Sequence, residues 1–385
     1  MRAAIGWPRI LAWRMRRQFL VDADASAVED VVHRLVAVPS WSGDAELAIG
    51  TRMRHPRLGS VAAAFAAGRL VKTFAFRGSM NYFVPEDAGT YLALRAVGRQ
   101  WELKSWREFY RLEAADWPLL RAAVRDALSS GPLSQGELAE AVVRDARYSH
   151  LAAAFTDRSC TFLKPFAWQG DLCVGPARDG ALMLQSPTVA SGWSGIPDVE
   201  DAGPQAVRAY LSAYGPASAD HLQYWLGAGL SAGRRRIAGW IARMLGNEIV
   251  TIEVDGDELL CRAGDLDDLA SGPEPEPGAV HLLPGLDPWV LGAGTADAHI
   301  VPPDRRGAIS RGANPVTLDG RVVAPGRSPM IGSAWRHSAK RSRATCSRPH
   351  SAGSPEYSVA TSTSTSMTGD VVHPQMPADG STVRG

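Results

Sequence analysis

A run of two or three helical stretches closed by a β-hairpin occurs three times in this chain. That repetition limits the folds open to it more than any single motif does. In the first copy, helical periodicity over 10–20, 27–38, 45–53 and 61–68 leads into RLVKTFAFRGSMNYFV at 69–84. The halves of that segment are rich in β-branched and aromatic residues, with Arg77, Gly78 and Ser79 at the turn. The second copy has a long amphipathic stretch at 106–130, then PLSQGELAEAVV at 132–143, where Ser134 and Glu137 form a Ser-x-x-Glu capping box. After a helical segment at 151–166, DLCVGPARDGALMLQSP at 171–187 reads as strand, turn, strand about Asp179 and Gly180. The third copy is the sharpest. Helices at 205–214, 216–227 (N-cap Ser218) and 231–245 (N-cap Ser231) precede NEIVTIEVDGDELLCRA at 247–263, which turns on Asp255 and Gly256.

Helix, helix, helix, hairpin is the order of a winged helix, a helix-turn-helix whose last helix enters the DNA major groove while the wing touches backbone or minor groove. The sequence therefore predicts an α+β chain of three tandem winged-helix domains, at 1–100, 101–200 and 201–270. GDLDDLASGPEPEPG at 264–278 reads as an acidic, proline-spaced linker. Beyond it, segments at 279–292, 299–303 and 314–323 read as short strands of a small C-terminal β-barrel region, 279–323, that is incomplete. Residues 324–385 hold one Ile, no Leu, no Phe and 18 Ser or Thr, which is too little apolar surface for a core. They read as a disordered tail.

Composition narrows the partners. At 385 residues the chain is too long for one ordinary core. Its formal net charge is only +1, so a DNA-facing basic surface has to be local. Of 41 basic residues the only lysines are Lys72, Lys104, Lys164 and Lys340. The rest are arginines, whose planar guanidinium suits phosphate. Cys160, Cys173, Cys261 and Cys346 form no Cys-x-x-Cys pair and read as free, buried thiols. No apolar run approaches the length needed to cross a bilayer, and the basic N-terminus has no clean leader core, so a cytoplasmic monomer is expected. No metal and no small-molecule cofactor is expected. GAGLSAG at 227–233 lacks the strand-before-helix context of a dinucleotide loop, and VDGDE at 254–258 is better explained as a hairpin turn than as calcium ligands.

LAWRMRRQFL, FAFRGSMNYFVPED, LSQGELAEAVV, FAWQGDLCVGP, AVRAYLSAYGPASADHLQYWLG, HLLPGLDPWVLG and LDGRVV occur in an order that resembles the AlkZ-like (YcaQ-like) winged-helix DNA-binding proteins, some of which are DNA glycosylases. The resemblance runs over residues 9–323 and stops at Ala324. It implies three winged helices arranged around double-stranded DNA, intact or damaged, with a C-terminal β-barrel. In glycosylase members a Gln-x-Gln or Gln-x-Asp loop positions the water that attacks C1′. The resemblance aligns that loop with VPSWSGD, putting Pro39 and Trp41 at the two positions and Ser40 between them. Proline has no side-chain donor or acceptor and tryptophan only donates, so neither orients a water by accepting its proton. A second landmark, Arg-Gly-x-x-His, reads Arg77-Gly78-Ser79-Met80-Asn81 here, and asparagine removes an acid or base. Asp44 reads as the cap of the next helix, with Trp41 packed inward or stacked on a base.

No catalytic residue is assigned on these grounds. The DNA-binding candidates are Ser231 with Arg234, Arg235 and Arg236 at the start of the third copy's last helix, where the dipole and free N–H groups favour phosphate. Three consecutive residues span about 200° of arc, so one or two phosphate contacts are the realistic number. Arg77 and Arg178 at the first two wing turns and Trp41 complete the set, whereas Asp255 and Asp257 would turn the third wing away from DNA. The ordinary alternatives are a solvated basic helix face, exposed turn arginines and a core tryptophan. The sequence reading is a DNA binder acting through backbone and shape contacts without strong catalysis. Its rivals are a glycosylase for alkylated or bulky bases and a protein-interaction module.

Overall fold

A short segment between two helices of each repeat pairs with the second strand of that repeat's hairpin, and this connection organises the chain. The structure, a computed structural model, describes residues 5–40, 45–272 and 277–326. α1 (Trp7–Arg17), α2 (Val28–Leu35), β1 (Val38–Pro39), α3 (Ala45–Gly50) and α4 (Ser60–Ala66) lead into the hairpin of β2 (Val71–Phe74) and β3 (Met80–Phe83). The second copy holds α5 (Pro85–Ala96), α6 (Lys104–Tyr110), α7 (Trp117–Leu128), β4 (Leu133–Ser134), α8 (Gln135–Val143), α9 (Ala152–Thr156), α10 (Lys164–Trp168), β5 (Cys173–Arg178) and β6 (Ala181–Gln185). The third holds α11 (Val199–Tyr214), α12 (Ala219–Leu222) running into a π-helical turn at Gln223–Ala228, α13 (Arg234–Met244), β7 (Ile249–Val254) and β8 (Asp257–Arg262). β1 pairs with β3, β4 pairs with β6, and Ala217 bridges Leu260 of β8 through two backbone hydrogen bonds.

The hairpins turn at the residues marked for it. Arg77 (φ 52°) and Gly78 (φ 70°), Asp179 (φ 52°) and Gly180 (φ 78°), and Asp255 (φ 50°) and Gly256 (φ 90°) all take positive φ. That twist suits a tight antiparallel turn. Ser134 and Ser218 cap α8 and α12 through their hydroxyls, as the local sequence implies. The first two hairpins are not separate wings. β2 joins β5 at Lys72 and Val174, giving one six-stranded antiparallel sheet in the order β1-β3-β2-β5-β6-β4. The third hairpin stands apart and lies on α1, where Trp7 donates from N and Nε1 to Asp255 and Asp257 (both 3.0 Å).

Several expectations fail for identifiable reasons. The stretch at 106–130 is two helices, because Arg111 leaves α6 in the left-handed region (φ 51°) and Pro118 starts α7 anew. The supposed linker contains α14 (Leu266–Ser271), whose Leu269 is fully buried against Trp7, Ile10 and Trp13 of α1. The C-terminal segment is not all strand. β9 (Val280–Leu282) is followed by α15 (Pro288–Ala293) and α16 (Arg306–Ser310), then β10 (Asn314–Leu318) and β11 (Arg321–Gly326). Asp287 caps α15 through Trp289 N and Pro288 fits its first turn, a helix-start signal that outweighs the β-prone composition. Residues 299–303 form a turn rather than a strand. The three strands make an open sheet, β11-β10-β9, not a barrel, among the described residues. β11 also runs past the expected end at residue 323, with Ala324 opposite Val316. Trp41 and Asp44 lie outside the described residues, as does almost all of the C-terminal tail.

Candidate active-site cleft

β1 is the outer strand of the large sheet, and this is why it accommodates a proline: Pro39 has no N–H to donate, and an edge position leaves that lack unpunished. Its Cα partner on β3 is Asn81, and Asn81 in turn faces Thr73 of β2. Of the three positions that family resemblance links to chemistry, 39 and 81 are therefore cross-strand neighbours, and 41 lies outside the described residues. Pro39 and Asn81 line a cleft of about 250 Å³.

The cleft is assembled from three distant segments. Phe76, Arg77 and Ser79 come from the first hairpin; Tyr214, Tyr224, Trp225 and Gly229 from the third repeat; Leu286, Pro288, Leu291 and Gly292 from the C-terminal segment. Phe76 packs on Trp225 with ring centroids 4.4 Å apart, which joins the first two walls. The third wall is tied in by buried polar contacts. Arg52, which follows α3, makes a two-pronged pair with Asp287 (2.6 and 3.0 Å), and both side chains are fully buried. Tyr210 donates to Gly292 O (2.9 Å), and Tyr214 donates to Leu35 O (2.8 Å) at the end of α2. Burial pushes both phenols well above their ordinary range, so they stay neutral donors. Gly292 is required there, since a Cβ would sit 2.0 Å from the Tyr214 ring.

A second buried cluster holds α1 to the same body. Arg14 donates to Pro216 O (2.5 Å) and lies 3.7 Å from Asp297, which also faces His221 (3.4 Å) and His299 (3.2 Å). Burial would raise the Asp297 carboxyl, but the His221 hydrogen bond and the Arg14 charge outweigh it and hold the group below the usual carboxylate range.

At the mouth, the exposed Arg77 sits in the strained turn with its guanidinium 4.6 Å from the centre of the Tyr224 ring. On the floor, Asn81 is 3% exposed. Its Nδ2 donates to Ser79 O (3.0 Å) and Ser79 Oγ (3.3 Å). The described lining residues include no carboxylate and no imidazole. Their polar side-chain groups are one guanidinium, one carboxamide, the Ser79 hydroxyl, two phenols and the Trp225 indole N–H. Such a set binds planar, electron-rich rings and orients water, but it cannot take up a proton near neutral pH.

Of the described candidates read from sequence, only Arg77 reaches this cleft. Ser231 is not the cap of α13. Gly233 occupies that position with no side-chain cap, and Ser231, at φ 66°, accepts from Arg95 Nη1 (2.9 Å). Arg234 is exposed and 3.9 Å from Asp220; Arg235 and Arg236 are exposed on the first turn of α13. Arg178 is held by Glu137 through both carboxylate oxygens (2.5 Å each) and lines a different groove, with Phe65, Gly68 and Met183. Sequence reasoning misses Tyr224, Trp225 and the 286–292 wall. HLQYWLG reads only as a helix, and LDPWVLG reads as strand where the chain is helical. Cys160, Cys173 and Cys261 are free and buried, as expected. No helix of the described residues is long and apolar enough to cross a membrane.

Comparison with known proteins places the chain in a family. The chain is 34% identical over 325 residues to the interstrand DNA cross-link repair glycosylase of Streptomyces sahachiroi, covering 82% of this chain and 86% of that protein. Its fold is similar to the solved Streptomyces sahachiroi DNA glycosylase AlkZ, with a TM-score of 0.77 and 32% identity over 84% of this chain and 87% of that one. The profile of the family described as DNA glycosylase AlkZ-like matches residues 14–346, which carries the likeness past Ala324, where the motif resemblance stops. On residues, fold and extent together, this chain belongs to the AlkZ-like DNA glycosylase family.

Proposed function

We propose that this chain recognises a damaged base in duplex DNA and hydrolyses its N-glycosidic bond in the cleft between the first hairpin, the third repeat and the C-terminal segment. The observation that carries this reading is the meeting of Pro39 and Asn81 across one β-ladder at the floor of an aromatic-walled cleft. Phe76, Tyr224 and Trp225 offer ring faces to a base, and Arg77 at the mouth supplies a cation beside it. The volume suits a single base rather than a drug-sized ligand. The relative's activity, repair of interstrand DNA cross-links, supports alkylated and cross-linked duplex as the substrate class. The chemistry agrees: a base made cationic by ring-nitrogen alkylation departs neutral and so needs no proton from the described lining residues.

Around the cleft we read the three repeats as winged helices, since each repeats the same short-strand connection. In this reading Arg235 and Arg236 contact phosphate from α13, and Arg77 reaches the minor groove. Arg178 would first have to leave Glu137. Double-stranded DNA is the partner, the protein acts as a monomer, and no metal or nucleotide is needed.

A second reading is lesion binding with little excision, and one observation favours it: Pro39 stands where resemblance expects a water-orienting side chain. Fluorescence anisotropy with intact duplex and duplex holding a stable abasic analogue, across a salt series, tests the part common to both. Preference for the abasic duplex supports lesion geometry. Equal, salt-steep affinity indicates a general DNA binder. No salt-sensitive binding would leave a protein-interaction role instead.

A further inference from the structure

We infer that Asn81 orients the attacking water, supplying from β3 the carboxamide that β1 lacks at Pro39. This inference rests on the glycosylase reading above and names how the same cleft performs it. Asn81 is nearly fully buried, yet only its Nδ2 is bonded, to the carbonyl and hydroxyl oxygens of Ser79. Two acceptors on that side fix the carboxamide's orientation, because a flipped amide would set its oxygen against the Ser79 carbonyl. No donor among the described residues reaches Oδ1, which belongs to a side chain lining the cleft. Oδ1 is not one of the buried atoms left without a partner, so it is open to the cleft, where a water or a ligand completes its bonding.

The neighbouring row points the same way. Thr73, Asn81 and Pro39 are successive cross-strand partners, so their side chains share one face of the sheet. Thr73 is fully buried and its Oγ1 has no partner either. A buried hydroxyl on β2, the carboxamide opposite it on β3 and proline at the third position leave a short polar row bounded by apolar surface. Such a row holds water.

The step balances without a protein base. The C1′–N bond breaks and its electron pair leaves with the base, which departs neutral if alkylation had made it cationic. The water oxygen bonds to C1′, and the proton it sheds passes to solvent. Asn81 Oδ1 accepts a hydrogen bond from that water and aims its lone pair at C1′, while keeping no proton itself.

Single-turnover base release from an N7-alkylguanine duplex, followed against pH for wild type, Asn81→Leu and Asn81→Asp, tests this, with affinity for the abasic analogue as a control. We expect Asn81→Leu to slow release by about 30-fold or more, within the range for losing a positioning group, and to leave abasic affinity within about threefold. Asn81→Asp should recover release and add a limb that rises with pH as the new carboxyl ionises, a signature no packing role produces. Release by Asn81→Leu at the wild-type rate would overturn the assignment while leaving the glycosylase reading intact. Abasic preference with no release by wild type would remove that reading, and this inference with it. If Asn81→Leu does not fold, the pH profile of Asn81→Asp decides: a flat profile matching wild type overturns the assignment.

Discussion

The Arg52–Asp287 pair ties the cleft's third wall to the first repeat, and removing one partner gives a calculable result. Both side chains are fully buried and bonded twice to each other, and Arg52 also donates to Ala48 O (2.6 Å). Arg52→Leu leaves Asp287 buried without its counter-charge, a change that costs about 3–5 kcal/mol. With an unfolding entropy near 2.1 cal/mol/K per residue, a cooperative unit of about 300 residues loses about 1 °C in Tm for each ~0.6 kcal/mol, so the expected drop is about 5–8 °C. Asp287→Leu should cost about 1 kcal/mol more, since Asp287 also caps Trp289 N (2.8 Å). The double variant should recover much of the loss, because apolar groups replace both charges. The assay is differential scanning calorimetry, with Lys104→Ala, which removes an exposed pair to Glu108 (3.6 Å), as a control shifting Tm by less than about 1 °C. Because the pair holds the 286–292 wall, Arg52→Leu should also weaken abasic-duplex binding at temperatures where it remains folded. A Tm within about 2 °C of wild type would refute the claim that this pair fastens the cleft's third wall.

Three further outcomes follow from the geometry. Replacing Arg235 and Arg236 by alanine should flatten the plot of log affinity against log salt by about 0.9 for each phosphate left without its arginine, while Arg178→Ala, already paired to Glu137, leaves the slope unchanged. Gly292→Ala would drive a Cβ to 2.0 Å from the Tyr214 ring, so it should destabilise the fold by about 1–3 kcal/mol in urea titrations and reduce lesion affinity. The His33 imidazole, bonded to Asp87 (2.6 Å), is held above its ordinary range first by that hydrogen bond. A raised value stabilises the fold below about pH 6.5 and ceases to do so as pH rises through the folded-state value. His33→Asn should therefore lower Tm slightly near pH 6 and leave it unchanged near pH 9, the effect being small because His33 is mostly exposed.

Local chemistry is legible in the sequence, and long-range convergence is not. Asp179 with Gly180 and Asp255 with Gly256 specify their turns within two residues, and Ser134 and Ser218 cap helices three residues away. Ser231 looks the same, but its hydroxyl is taken by Arg95, 136 positions earlier, and Gly233 begins the helix instead. Leu269 is hidden in an acidic, proline-rich stretch because its partners lie on α1, at the opposite end of the chain. For α15 the signal is present, Asp287-Pro288, but the β-prone residues around it mask it. The cleft itself has a partial signature. Resemblance marks positions 39 and 81, and β1–β3 pairing brings them together, but nothing local announces that Tyr224, Trp225 and Leu286 close over them. The six-stranded sheet is equally illegible, since it depends on one pairing between Lys72 and Val174.

The central claim is excision of a damaged base, and the most direct measurement is chromatography of the free base released by excess protein from an alkylated duplex. The account predicts free alkylated base together with an equal amount of alkali-labile abasic strand. Tight, abasic-preferring binding with neither product would contradict it and leave a protein that finds lesions without removing them.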